Sequence, residues 1–292
     1  MERMTKGTRV RHESKTHWGV GQLLEGESSN GFRIYFENVG LKEISSDYRN
    51  LIHLVLDKEA ASGLLDNLAL PIGPQARPPL TPAQAKERFL ELFPGGFQGE
   101  RLEKGEREYK VQLHIDALAL LGKPVILALL MAGDFAGVCQ RARKFIDAGK
   151  LNLISPYEKI AFNNGMAALQ DPQPFALALN DWLYGAESKE KCFNAMSNAL
   201  DELGAAKWPV MTSFGFFVDP AAEVFIKPEN LKYAAALFHF EINYKPDLNW
   251  STYDSVTRFY CHLHKEVSDL GPRDMIDVQD FIWCIDPKNY GH

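Results

Sequence analysis

Residues 71–82 read Pro-Ile-Gly-Pro-Gln-Ala-Arg-Pro-Pro-Leu-Thr-Pro, and the hydrophobic period differs on the two sides of this run. Prolines fix φ and remove backbone donors, so neither a helix nor a strand ladder continues through it. It reads as a spacer, with the domain boundary near residue 75. Upstream, apolar residues alternate in short runs; downstream, they recur at helical spacing. The expected fold class is α+β, a small N-terminal antiparallel β-barrel followed by a larger all-α domain. The expected boundaries are 1–58 for the barrel, 59–80 for a linker with a short helix, and 81–292 for the helical part.

Working back from the spacer, the strand candidates are TRVRH (8–12), VGQLLEG (20–26), FRIYFEN (32–38) and LKEIS (41–45), each closed by Gly, Asn or Ser. Phe32, Ile34 and Phe36 alternate with Arg33, Tyr35 and Glu37, which predicts one apolar and one polar face. ESSNG (27–31) supplies hairpin chemistry, and Gly19 and Gly21 flank a tight or bulged strand entry. Leu51 to Leu65 is expected to form a short exit helix.

Working forward, helix starts can be named one by one. Thr81-Pro82 opens AQAKERFLELF, Asp134 caps FAGVCQRARKFIDAG, and Ser155-Pro156-Tyr157-Glu158 is a capping box with proline at the first helical position. Asp171-Pro172, Ser188, Pro228 and Ser251 or Thr252 open four more, and IDVQDFIWCI makes a short last helix. EREYKVQLHIDALALLG and PVILALLMA (124–132) are helical as well, the latter read as buried because it is about half the length that spans a bilayer. No fixed repeat period is present, so a bundle of eight to ten helices is expected rather than a solenoid.

With 292 residues, 46% hydrophobic and 24% charged, the chain has the composition of a folded protein and excludes collagen, coiled coil and low-complexity disorder. Cys139, Cys192, Cys261 and Cys284 lie far apart with no C-x-x-C pair. Free buried thiols in a reduced, cytoplasmic setting are therefore expected. No leader or membrane segment is read. A net charge of −6 means that nucleic-acid binding must rest on local patches. Two are available, Arg101, Lys104, Arg107 and Lys110 in one and Arg141, Arg143 and Lys144 in the other.

The stretch GTRVRH-x5-WGVGQL followed by FRIYFENVGLKEI resembles the Tudor-like or SH3-like barrels of bacterial nucleic-acid proteins, through Gly7, Val10, His12, Trp18, Gly19, Gly21, Tyr35, Phe36, Gly40 and Lys42. Comparable barrels end the UvrD/PcrA-type repair helicases and form the polymerase-interaction domain of CarD-like factors. The resemblance implies docking onto a helicase, RNA polymerase or DNA, with Trp18 and Phe36 closing the small core.

The densest set of chemical groups lies between Lys207 and Trp283. Lys227 directly precedes a helix opened by Pro228, where a positive helix end would lower its basicity and suit it as nucleophile or phosphate ligand. Asp277 and Asp280 share a helix face one turn before Trp283. Alternatively, Asp274 or Asp277 merely caps that helix. Cys261, His262 and His264 do not converge as zinc ligands do, and DPAAEVFIK (219–227) lacks the spacing that would put acid and lysine beside one metal. Phosphate-loop, dinucleotide and hydrolase-elbow motifs are absent, and no cofactor is implied.

Residues 80–286 resemble the helical DNA glycosylases, including those used against phages with modified DNA. The LPGVG-like turn of that class is missing, with KWPVMT and LGPRD in roughly analogous places. The resemblance implies excision of a damaged or modified base from double-stranded DNA, in repair or phage defence. Asp277 would be the carboxylate at the sugar, Asp280 its alternate, and Lys227 a phosphate ligand or the attacking amine. Trp208, Tyr233 and Trp283 would stack on the base, Gln279 would read it, and Arg107, Lys110, Arg141, Arg143, Lys144 and Arg273 would hold phosphates. The competing expectation is a non-enzymatic adaptor docking through the barrel, with the aromatic-rich region as protein interface.

Overall fold

A computed structural model describes residues 4–26, 31–55, 60–68, 80–148, 151 and 153–290. Both the ESSNG turn, apart from Gly31, and the spacer at 71–79 lie outside the described residues.

The N-terminal part is a five-stranded antiparallel sheet of β1 (Arg9–His12), β2 (Gly21–Leu23), β3 (Phe32–Phe36), β4 (Gly40–Ile44) and β5 (Ile52–Leu54), in the order β4-β3-β2-β1-β5. Alternation places Val10, Leu23, Phe32, Ile34 and Phe36 in one small core. Trp18 packs on that core edge-on, 5.0 Å from the Phe36 ring. Gly21 is required there, because a Cβ would come within 2.7 Å of both Ile34 and Phe36.

Two expectations for this region are corrected. Residues 52–54 do not start an exit helix; they form β5, which pairs with β1, and the only helix of that stretch among the described residues is the short α1 (Gly63–Asp66). The outer face is also not uniformly polar. Tyr35 is buried because its hydroxyl donates to the Glu241 carbonyl and accepts from the Glu241 N–H, at 2.9 and 2.6 Å. Gly40, at φ 66°, brings the sheet so close to the helical body that a Cβ would lie 2.7 Å from the His239 carbonyl. The sheet is thus fastened to the body by backbone approach and by a phenol that alternation alone marks as exposed.

The body comprises α2 (Pro82–Leu92), α3 (Glu100–Leu102), a π-helical turn (Glu103–Arg107), α4 (Glu108–Leu121), α5 (Lys123–Met131), α6 (Phe135–Ile146), α7 (Pro156–Ala168), α8 (Gln173–Tyr184), α9 (Lys189–Glu202), α10 (Trp208–Val218), α11 (Pro228–Leu237), α12 (Trp250–Glu266) and α13 (Met275–Cys284). The named starts hold in detail. Thr81 with Gln84 and Ser155 with Glu158 form capping boxes, and Asp134 and Ser188 cap α6 and α9. The start of α12 is earlier than expected: Asn249 accepts from the Thr252 N–H, so Trp250 is already helical.

One long helix escaped the sequence reading. Every residue of α10 is buried, and a helix apolar all round has no amphipathic period to detect. The opposite error concerns α5. Its residues are helical, but Leu127 is 39% and Met131 89% exposed, so the segment is not a core helix. Helical residues Glu100–Met131 are long and apolar enough to cross a membrane by length and composition, and their most apolar window is only 28% buried. Cys261 is likewise exposed, whereas Cys139, Cys192 and Cys284 are buried free thiols.

Candidate active site

The site is built where the π-helical turn and α4 lie against α13. On the first element Arg107 and Lys110 are three residues apart; on the second Asp277 and Asp280 are three residues apart. Matched spacing puts two ion pairs side by side, Arg107 with Asp277 at 2.8 Å and Lys110 with Asp280.

The first pair belongs to a closed network. Arg107 holds Asp274 with both terminal nitrogens, at 2.7 and 2.8 Å, as well as Asp277. Asp277 also accepts from the Arg273 backbone N–H and guanidinium. Arg273 further donates to Glu103 and to the Phe97 carbonyl. Asp274 meanwhile caps α13 by accepting from the Ile276 and Asp277 N–H groups. The Arg107 guanidinium helps to hold the half-buried Asp274 below the usual carboxylate range although burial pulls it up.

The second pair borders a cavity of about 190 Å³ lined by Gly105, Glu106, Tyr109, Lys110, Leu153, Lys227 and Trp283. Lys110 donates to Asp280 and, at 3.1 Å, to Glu106, whose other oxygen accepts from the Tyr290 hydroxyl. Burial disfavours the Lys110 ammonium, but the charges of Asp280 and Glu106 outweigh it and push its pKa up. Asp280 is fully buried, and burial raises its pKa to about 6 against the pull of Lys110. Its Oδ2 finds no hydrogen-bond partner among the described residues. Across the cavity, Lys227 is the N-cap residue of α11 and sets its Nζ 4.6 Å from the centre of the Trp283 ring. Its basicity is lowered, as the sequence led us to expect, but burial is the main cause. The Lys110 charge adds to the lowering and Glu158 partly offsets it.

Of the expected site residues, the fold brings Lys227, Trp283 and Lys110 to one cavity, with Asp280 directly behind Lys110. Asp277 is not on the cavity wall; both its oxygens face arginines. Arg107, Lys110 and Arg273 are each engaged by internal carboxylates. Arg141, Arg143 and Lys144 lie on α6, where Lys144 is exposed and Arg143 donates to Asn163. Trp208 is core, donating to the Lys245 carbonyl. Tyr233 packs against the core, and Gln279 is buried on α13. Glu106, Tyr109, Leu153 and Tyr290 were not foreseen. Among the described residues no group of three or more His, Cys, Asp or Glu could hold a metal ion.

Residues 4–54 match the family described as a protein of unknown function (DUF3553), over the stretch that forms the sheet. No curated protein and no solved structure matches the chain.

Proposed function

We propose that the chain is a base-excising enzyme that cleaves an N-glycosidic bond in DNA, with Lys227 as the attacking amine. The observation that carries this reading is the cavity itself: a half-buried lysine of lowered basicity shares a small space with a carboxylate, a fixed ammonium and an aromatic face. A base turned out of the duplex would enter the cavity beside Lys227 and Trp283. The lone pair on Nζ forms the bond to C1′ as the C1′–base bond breaks, and the bonding electrons leave with the base. A proton lost from the amine passes to the departing base, with Glu106 as the carboxylate in reach of the cavity. Opening of the sugar ring then gives an imine between Nζ and C1′. Glu106 takes the role at the sugar that the glycosylase resemblance implied for Asp277, and Asp280 acts through Lys110 as a positioning residue.

The sequence resemblance of the N-terminal stretch to Tudor-like barrels of repair helicases and polymerase-binding factors supports a DNA setting. Arg141, Arg143 and Lys144 of α6, of which Lys144 is exposed, are the phosphate contacts left for double-stranded DNA once the internal ion pairs are set aside. Single-turnover incubation with DNAs carrying normal, alkylated, deaminated and glucosylated bases, with borohydride present, tests the reading. Free base and a borohydride-reduced protein–DNA adduct are expected, with the adduct lost in a folded Lys227→Met variant. An adduct that survives Lys227→Met would remove the lysine from the mechanism, and no base from any DNA would remove the enzyme reading.

A further inference from the structure

We infer that the base expelled at this site is a single-ring pyrimidine bearing ring carbonyls, uracil being the simplest, and not a purine or a base with an appended sugar. The inference rests on the base-excision reading above and narrows its substrate class. Its ground is volume. A closed cavity of about 150 Å³ accommodates benzene, and the space here, partly open to solvent, is about 190 Å³, so it has room for one six-membered ring with its exocyclic atoms. A second fused ring or a glucosyl group would have to displace wall residues such as Leu153, which is 7% exposed and packed in the core cluster.

The charge on the wall selects further. When the C1′–N1 bond breaks, its electron pair stays on the base. A ring with two carbonyls spreads that charge onto oxygen, and an ammonium fixed nearby stabilises it. Lys110 is such a group, held charged by Asp280 and Glu106. Thymine has the same carbonyls but stays stacked and paired, whereas a mispaired uracil opens at lower cost.

The test compares single-turnover rates on duplexes containing uracil opposite guanine, hypoxanthine, 8-oxoguanine, an alkylated purine and glucosylated hydroxymethylcytosine. Uracil release should exceed every purine and the glucosylated base by about tenfold or more, the scale on which a pocket rejects a group it cannot hold. In Leu153→Ala, which deepens the cavity, purine release should rise relative to uracil. Purine or glucosylated-base release as fast as uracil release overturns the size argument while base excision stands. An unchanged purine-to-uracil ratio in a folded Leu153→Ala does the same. Absence of release from every duplex overturns both readings together.

Discussion

The two ion-pair clusters between the 103–110 segment and α13 use the same helix faces, one turn apart, yet differ in saturation. Around Asp277 each carboxylate oxygen is matched to arginine nitrogens, and nothing is left over. Around Asp280 one oxygen has no partner among the described residues, its pKa is raised to about 6, and the ammonium it holds faces a cavity. A saturated network fixes structure. An under-satisfied one beside open space keeps hydrogen-bonding capacity that a fully paired network has used up, which is why the proposed site is placed there.

The comparison can be broken most directly at Lys110. Lys110→Met strands a fully buried carboxylate and should lower stability by about 3–5 kcal/mol in denaturant melts. Adding Asp280→Leu should restore most of that loss, because two apolar groups of similar volume replace the pair, while leaving base release abolished. A double variant that keeps activity would show the pair to be structural like its neighbour. On the saturated side, Arg107→Met should cost more stability than Arg273→Gln. Asp277 keeps one arginine in either case, but Arg107 is also the bidentate partner of Asp274, and the half-exposed Arg273 is worth only about 1 kcal/mol. Base release per folded molecule should change little in Arg273→Gln.

The smallest effect is in pH dependence. Asp280 binds its proton more tightly when folded, so its contribution is full below its unfolded value near 3.8 and is lost as pH rises to about 6. His262, stacked on Phe240 beneath the sheet, is driven the other way, its pKa lowered to about 4 by burial. Its contribution is full above 6.5 and is lost as pH falls toward about 4. The two slopes oppose each other. Asp280→Asn should therefore make stability fall more steeply on acidification from about 6 to about 4 than in the parent chain. An unaltered profile would mean that Asp280 does not titrate there.

How much of this was legible depended on whether the signal was local. Capping residues such as Ser155 and Asp134 act within one turn, so helix starts could be read directly. Lys227 and Trp283 were found because a proline and an acid-aromatic spacing stand beside them in sequence. The sequence reading puts Lys110 among the phosphate contacts and passes over Glu106, although Lys110 continues the stripe of Leu113, Ala117 and Leu121 that the helix buries. That stripe was the available signal. Tyr35 had none, since its partner is Glu241, far along the chain, and Leu153 and Tyr290 reach the cavity region only through tertiary packing.

The π-helical turn at Glu103–Arg107 has a consequence in the language of phase. An α-helix advances about 100° per residue, and the extra residue in a π turn slips the screw by one such step. That slip is what lets Leu102 before it and the Lys110 stripe after it point into one core while Glu106 and Arg107 both turn inward between them. Deleting the single residue Gly105, which carries no side chain, would therefore act as a rotation. Everything N-terminal to the turn would be dialled out of register with α4, and the cavity would lose its rim without any of its charged groups being touched.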